Sequence, residues 1–131
     1  IVMAHNIPYA ATASVANGDD RRKKIKKAHE ATKIGPAFLH VHAPCPTGGG
    51  YASAKTIEVA SLAIETKCWV QYEVEYDKIT VAPLKTVKPV EEYLKSQGRF
   101  RGLTPEIIAK VQADVDRQYD MLVKRAALTQ E

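Results

Sequence analysis

The sequence predicts an α/β domain in which parallel strands and helices are followed by a β-hairpin and a C-terminal helical tail. Two strongly apolar segments, residues 7–13 and 37–43, flank a charged helical stretch. Apolar and polar residues then alternate through residues 69–82, and after Thr104 apolar residues recur every three or four positions. The chain has 131 residues, of which 45% are hydrophobic and 26% charged. These values are ordinary for a single globular domain.

The N-terminal part of the chain is predicted to form a βαβ unit with parallel strands. Residues 7–13 form a short buried strand, and an Asx residue of the following Asn17-Gly18-Asp19-Asp20 segment can cap a helix that runs to about residue 33. Lys and Arg side chains at 21–27 form its solvated face. Gly35-Pro36 ends the helix before the second strand, residues 37–43. The opposite face of this first helix carries a thin apolar stripe, formed by Ile25, Ala28 and either Ala31 or Thr32.

The second half of the chain contains further helices and a hairpin. After a loop at 44–50, Ser53 is expected to cap a largely buried helix over residues 54–66. Strands at 69–75 and 78–82 form the hairpin, with a turn at Tyr76-Asp77. A connector leads to a short helix at 90–97 that Gly98 ends. Thr104 caps the last helix, whose stripe must pack on something: Ile108, Val111, Val115, Gln118 and Leu122.

Charge and cysteine content narrow the functional classes. Nineteen Lys and Arg against 15 Asp and Glu leave a mild excess of +4, without the aromatic platforms or motifs of a nucleic-acid binder. No apolar run is long enough to span a bilayer, so no membrane contact is expected. The two cysteines exclude a disulfide scaffold, and we expect a cytoplasmic location. Residue 1 is Ile, and the chain resembles the interior of a longer polypeptide.

Three motifs could carry chemistry. Residues 49–56 resemble a phosphate-binding P-loop, although a glycine-rich turn entering a helix is the simpler interpretation. His40, His42 and Cys45 have soft-metal donor atoms, but a structural zinc site needs four ligands. Cys45 lies between two prolines in a stiff loop, which would suit a metal-bound thiolate or an inert buried thiol. A nucleophilic role is a third alternative, although the sequence shows no clear general base for it. The residues alone leave these alternatives open.

A resemblance to a known family carries the interpretation further. Residues 4–14, a basic helix, and residues 35–48 with their Ala-Pro-Cys-Pro-Thr-Gly motif resemble the C-terminal half of a thiamine-diphosphate-binding β subunit. The subunit is that of pyruvate:ferredoxin oxidoreductase, within the 2-oxoacid:ferredoxin oxidoreductases. Residues 89–100 and 103–106 are similar to the pyruvate-specific members. The resemblance covers essentially all 131 residues, and the Pro-Cys-Pro motif is its most specific element.

The resemblance implies a fold, a cofactor set and a role for Cys45. Residues 1–66 would be the C-terminal part of a thiamine-diphosphate-binding domain, and residues 67–131 a hairpin and helical tail packing on it or on partner subunits. Cys45 would ligate a 4Fe-4S cluster, with Thr47 and Gly48 as N–H donors to its sulfur. The other cluster cysteines and most of the sites for thiamine diphosphate and Mg²⁺ would lie outside residues 1–131, and no catalytic residue is assigned within them.

The implied reaction is the reversible oxidative decarboxylation of a 2-oxoacid, with pyruvate favoured, to acyl-coenzyme A and CO₂. Electrons pass to ferredoxin, and the other subunits of the complex are partners. The chain by itself would be inactive. It departs from the family in having Gly49-Gly50 where a Trp often follows the motif, and Cys68 is interpreted as packing. The alternatives are a non-catalytic α/β interaction module and a nucleotide-binding domain that uses residues 49–56.

Overall fold

A four-stranded mixed sheet with strand order β2-β1-β3-β4 organises the computed structural model, which describes residues 2–130. The strands are β1 (Tyr9–Ser14), β2 (Ala37–His42), β3 (Tyr72–Glu75) and β4 (Lys78–Val81). The helices are α1 (Gly18–Ala31), α2 (Pro46–Gly49), α3 (Thr56–Glu65), α4 (Val90–Lys95) and α5 (Pro105–Leu128). Short 3₁₀ turns occupy Val2–His5, Ser53–Lys55 and Gly98–Phe100. The predicted α/β class is confirmed.

The βαβ unit forms as predicted. β1 and β2 pair in parallel without a break, from Tyr9 opposite Ala37 to Ser14 opposite His42. The Asn17 side chain accepts a hydrogen bond from the Asp20 amide and so caps α1. Every residue of β1 is buried because β2 and β3 flank it on either side. β1 pairs antiparallel with β3, which places the hairpin in the same sheet as the βαβ unit.

The hairpin begins later than predicted. Its first strand starts at Tyr72 rather than at residue 69, because the Trp69 amide donates to Ala63 O and so continues the end of α3. Gln71 was expected on the polar side of the alternation, but it is buried and donates from Nε2 to Asp20 Oδ2 at 3.1 Å. The predicted turn is confirmed, with Tyr76 at a positive φ of 54°.

Helix α1 corrects the expectation of a uniformly solvated basic face. Lys24 is only 3% exposed, and its Nζ donates to Thr12 O and pairs with Asp20, both at 2.9 Å. Ile25, assigned to the apolar stripe, is instead 47% exposed. The long Lys24 stem spans the space that an apolar residue was expected to fill, while its ammonium finds polar partners.

Two local predictions around residues 44–56 are wrong. The loop at 44–50 contains the one-turn helix α2, with Cys45 as its N-cap residue. Ser53 does not cap α3; it begins the 3₁₀ turn that leads into the helix, and its carbonyl accepts the Thr56 hydroxyl hydrogen bond. A 3₁₀ turn, and not a hydrogen bond from a Ser side chain, therefore forms the entry to α3.

The long helix α5 connects two apolar clusters. Val59, Leu62, Val90 and Leu94 centre one cluster, and Ala10, Val74 and Ile79 form another. The α5 stripe docks as predicted except at Gln118, which is exposed and donates to Asp114: Ile108, Val111 and Val115 pack on the first cluster, and Leu122 packs on the second. Among residues 2–130, no helix is both long and apolar enough to cross a membrane.

The two residues that follow α5 bond to one edge of the sheet. Thr129 Oγ1 accepts the Ile79 amide hydrogen bond at 3.0 Å, and Gln130 Nε2 donates to Ile79 O at 2.8 Å. The outward backbone groups at the centre of β4 therefore have partners from the C-terminal segment of the same chain.

Candidate functional site

Cys45 lies just beyond the C-terminal end of β2, at the edge of a parallel pair where ligands of α/β sheets commonly bind. Its backbone is extended (φ −93°, ψ 120°) between Pro44 and Pro46, and the residue is exposed. The Gly48 amide donates to Cys45 Sγ at 3.5 Å. The thiol is thus presented on the surface by a rigid segment.

The two predicted amide donors behave differently. Gly48 contacts the sulfur, and an added Cβ at Gly48 would lie 3.9 Å from Sγ. Thr47 is exposed, and within residues 2–130 its amide does not donate a hydrogen bond to Sγ. The assignment of both residues to a cofactor site stays a prediction.

The glycines after Cys45 are held against the segment that follows α4. Gly50 adopts a left-handed conformation (φ 70°), and its carbonyl accepts a hydrogen bond from the Gly98 amide at 3.2 Å. A Cβ on Gly98 would lie 2.8 Å from Gly50 O, so the two backbones can approach only as glycines. The residues after α4 therefore brace the Cys45 loop, a contact between distant segments that sequence spacing did not predict.

The P-loop interpretation loses its physical basis. A P-loop wraps phosphate with free backbone N–H groups. Here the Gly49 amide donates to Cys45 O, and the amides of Gly50 and Tyr51 both donate to Pro46 O. These donors already stabilise the turn of α2.

The zinc interpretation is not supported either. Within residues 2–130 no group of three or more His, Cys, Asp or Glu side chains is placed to hold a metal ion. His40 and His42 pack instead on Trp69, with ring centroids 4.8 Å and 5.1 Å away, the first edge-on and the second stacked. Trp69 Nε1 donates to Ala13 O at 2.9 Å, which fixes the indole against β1.

Two buried polar atoms lie on either side of Cys45 in the sequence. His42 Nδ1 and the Tyr51 hydroxyl lack hydrogen-bond partners within residues 2–130. Burial lowers the pKa of His42, and electrostatic interactions with nearby Arg99 and His40 lower it further. Buried polar atoms normally have partners, so these two atoms are exceptions within residues 2–130.

Cys68 differs from Cys45 in its surroundings. It is partly buried and packs against the apolar cluster of α3 and α4. Burial raises its thiol pKa, although a hydrogen bond with Thr66 opposes the shift. The raised pKa disfavours the thiolate that metal binding or nucleophilic attack requires. The interpretation of Cys68 as a packing residue agrees with this environment.

A polar cluster at the opposite end of β1 escaped the sequence analysis. Tyr9 donates to Glu73 at 2.7 Å, and Lys27 Nζ lies 3.0 Å from Glu73 and 3.2 Å from Glu75. Burial and the Glu73 carboxylate raise the Tyr9 pKa well above its ordinary value. The cluster joins α1 to β3, and the sequence carries no local signal for it because Lys27 and Glu73 are 46 residues apart.

Comparison with known proteins yields close relatives. No protein-family model matches the chain. It is 48% identical over 118 residues to pyruvate synthase subunit PorB of Methanothermobacter thermautotrophicus, a match covering 88% of the chain and 40% of that protein. It is 46% identical over 129 residues to ketoisovalerate oxidoreductase subunit VorB of Pyrococcus abyssi, covering 96% and 41%. The chain is homologous to PorB and VorB subunits.

A third match agrees with the first two. PorB of Methanocaldococcus jannaschii is 45% identical over 124 residues, covering 93% of the chain and 41% of that protein. The chain therefore spans about two fifths of the length of these PorB and VorB relatives. These relatives are named as subunits of pyruvate synthase and of ketoisovalerate oxidoreductase, and they support the resemblance that the Pro-Cys-Pro motif indicated.

Proposed function

We propose that the chain is part of the PorB-type subunit of a 2-oxoacid:ferredoxin oxidoreductase. The observation that carries the proposal is 45–48% identity to pyruvate synthase PorB subunits over most of the chain. The complex would convert a 2-oxoacid and coenzyme A to acyl-coenzyme A and CO₂, with the released electrons passing singly to ferredoxin. Pyruvate is our preferred substrate because of residues 89–106, although identity to VorB is nearly as high.

Cys45 would be this chain's ligand to a 4Fe-4S cluster. Its thiol is exposed, a backbone amide already donates to the sulfur, and the unpartnered polar atoms of His42 and Tyr51 are on neighbouring segments. These features fit a thiolate that completes a cluster held mainly by other polypeptide. A cluster needs several cysteines, so the remaining ligands would come from outside this chain. When bound, the cluster would supply one-electron transfer.

The loop around Cys45 would position the ligand and limit its motion. The prolines restrict the backbone at residue 45, and the contact between Gly50 and Gly98 holds the far end of the loop. The Gly48 amide would stabilise negative charge on the sulfur, a donor arrangement that tunes cluster potentials.

The βαβ unit would form the C-terminal part of a thiamine-diphosphate-binding domain. Residues 4–14 and 35–48, which carry that resemblance, lie in and beside the parallel strands β1 and β2. The sites for thiamine diphosphate and Mg²⁺ would lie mostly in the rest of the subunit, and the chain alone would be inactive.

The proposal is tested by Cys45→Ser in the assembled oxidoreductase complex. We expect less bound iron and loss of one cluster's paramagnetic resonance signal after reduction. Cys68→Ser is the matched control and should keep both, because Cys68 packs in an apolar cluster. Unchanged iron content and spectrum in the Cys45→Ser complex would contradict the proposal and favour the alternative of a non-catalytic interaction module.

A further inference from the structure

The segment after α4 places a positively charged residue against the Cys45 loop. The Gly98 amide donates to Gly50 O at 3.2 Å, and a Cβ on Gly50 would lie 3.4 Å from the Arg99 amide nitrogen. Gly50 itself belongs to the turn of α2, because its amide donates to Pro46 O at 2.8 Å, and Cys45 is the N-cap residue of that helix. Arg99 is therefore joined by backbone contacts to the loop that presents the Cys45 sulfur.

The Arg99 guanidinium is held over an aromatic ring and has no acidic partner within residues 2–130. Its Cζ lies 4.6 Å from the centroid of the Phe100 ring, and Phe100 packs on the apolar cluster of α3 and α4. No carboxylate within residues 2–130 forms an ion pair with Arg99, whereas Lys95, four residues earlier, pairs with Glu91 at 2.7 Å. Because a guanidinium stays protonated, Arg99 supplies a permanent and uncompensated positive charge to this part of the structure.

The charge of Arg99 also acts on the strand end that precedes Cys45. Burial is the main cause of the lowered pKa of His42, and the Arg99 charge is the next. His42 is the last residue of β2, and Cys45 follows it by three residues. Two observations, the backbone contact with Gly50 and the electrostatic effect on His42, therefore place Arg99 beside the segment that carries the thiol.

We propose that Arg99 raises the reduction potential of the 4Fe-4S cluster that Cys45 would bind. This inference rests on the proposed function. In the proposed reaction the cluster accepts one electron from the 2-oxoacid, so its net charge becomes one unit more negative. A nearby positive charge favours the more negative state, and net charge is one of the factors that set cluster potentials. Arg99 would therefore stabilise the reduced form without ligating iron.

The test is redox potentiometry of the assembled oxidoreductase complex, followed through the paramagnetic resonance signal that Cys45→Ser removes. Arg99→Gln should keep the iron content, because Arg99 is exposed and ligates nothing. At a fixed potential it should lower the ratio of reduced to oxidised cluster by about threefold or more. A threefold change is about 28 mV for a one-electron couple, since a tenfold change is about 59 mV. Arg99→Lys keeps the charge and should keep most of the wild-type ratio.

The matched control is Lys33→Gln, which removes the same charge from the segment before β2, at the opposite end of that strand from Cys45. It should leave the ratio unchanged. The proposal would be overturned by an unchanged ratio in Arg99→Gln, or by an equal shift in Arg99→Lys or Lys33→Gln. Loss of iron from the Arg99→Gln complex would also overturn it, since Arg99 would then have a structural role.

Failure of the cluster assignment gives a different result. In that case Cys45→Ser leaves the iron content and every paramagnetic resonance signal of the complex unchanged, which would overturn this inference together with the proposed function. An unchanged ratio in Arg99→Gln, with the signal still lost in Cys45→Ser, would remove the role of Arg99 alone and leave Cys45 as an iron ligand.

Discussion

The two edge strands of the sheet, β4 and β2, differ in how the rest of the chain covers them. At β4, α5 packs across the strand, and the Ile79 amide and carbonyl are bonded to Thr129 and Gln130. At β2, the outer backbone groups have no such partners within residues 2–130, and Phe38 and Val41 are exposed. Within residues 2–130 the chain therefore covers only one edge of its sheet, and Cys45 follows the uncovered edge strand β2.

The largest expected difference between the edges is in stability. Ile79→Ala should lower the free energy of unfolding by about 3 kcal/mol, because Ile79 is buried in a cluster that α5 covers. Phe38→Ala should cost about 1 kcal/mol or less in the isolated chain, since that side chain is already half exposed. Denaturant unfolding of both variants measures the difference. Equal losses would mean that the two edges are equally packed.

A smaller effect is expected from the polar closure of β4. The double variant Thr129→Val, Gln130→Ala removes both hydrogen bonds to the Ile79 backbone and should cost about 1–2 kcal/mol. The Ile79 amide should then exchange with solvent faster, while β1 amides are the internal control. Unchanged exchange at Ile79 would show that helix packing alone protects this edge.

The smallest expected effect is a pH dependence of the folding stability that arises from His42 at the end of β2. Burial, with Arg99 and His40 nearby, holds the His42 pKa below its ordinary value. The unfolded chain therefore binds a proton at His42 before the folded chain does, and stability should fall as pH decreases through about 6.5, then level off below the folded-state pKa. Chemical denaturation between pH 7 and 5 measures it.

His42→Phe should remove this component, since the ring can still stack on Trp69 without a titrating group. If His42→Phe keeps the wild-type profile, the pH dependence arises elsewhere.

Most secondary structure could be predicted because its signals are local. Asn17, Thr104 and Pro105 mark helix starts through their own side chains and backbone, and both helices begin there. The turn at Tyr76-Asp77 is flanked by alternating residues, and the hairpin forms at that turn. Ser53 failed as a cap because a 3₁₀ turn precedes α3, an alternative that the same short sequence permits.

The candidate site was only partly accessible to sequence reasoning. The Pro-Cys-Pro motif located Cys45, and the relatives support the family that the motif indicated. The brace between Gly50 and Gly98 and the packing of Trp69 on His42 join segments that are remote in sequence. Lys24 is another example: its burial depends on the carbonyl of Thr12 and the carboxylate of Asp20 facing the same space.

By itself, the sequence determined where strands and helices form and which cysteine occupies the stiff loop, because caps, periodicity and prolines act over a few residues. Only the tertiary structure decided which strands are edges and which edge α5 covers. That outcome depends on competition among contacts across the whole chain, and the Ile79 backbone finds its partners 50 residues away at Thr129.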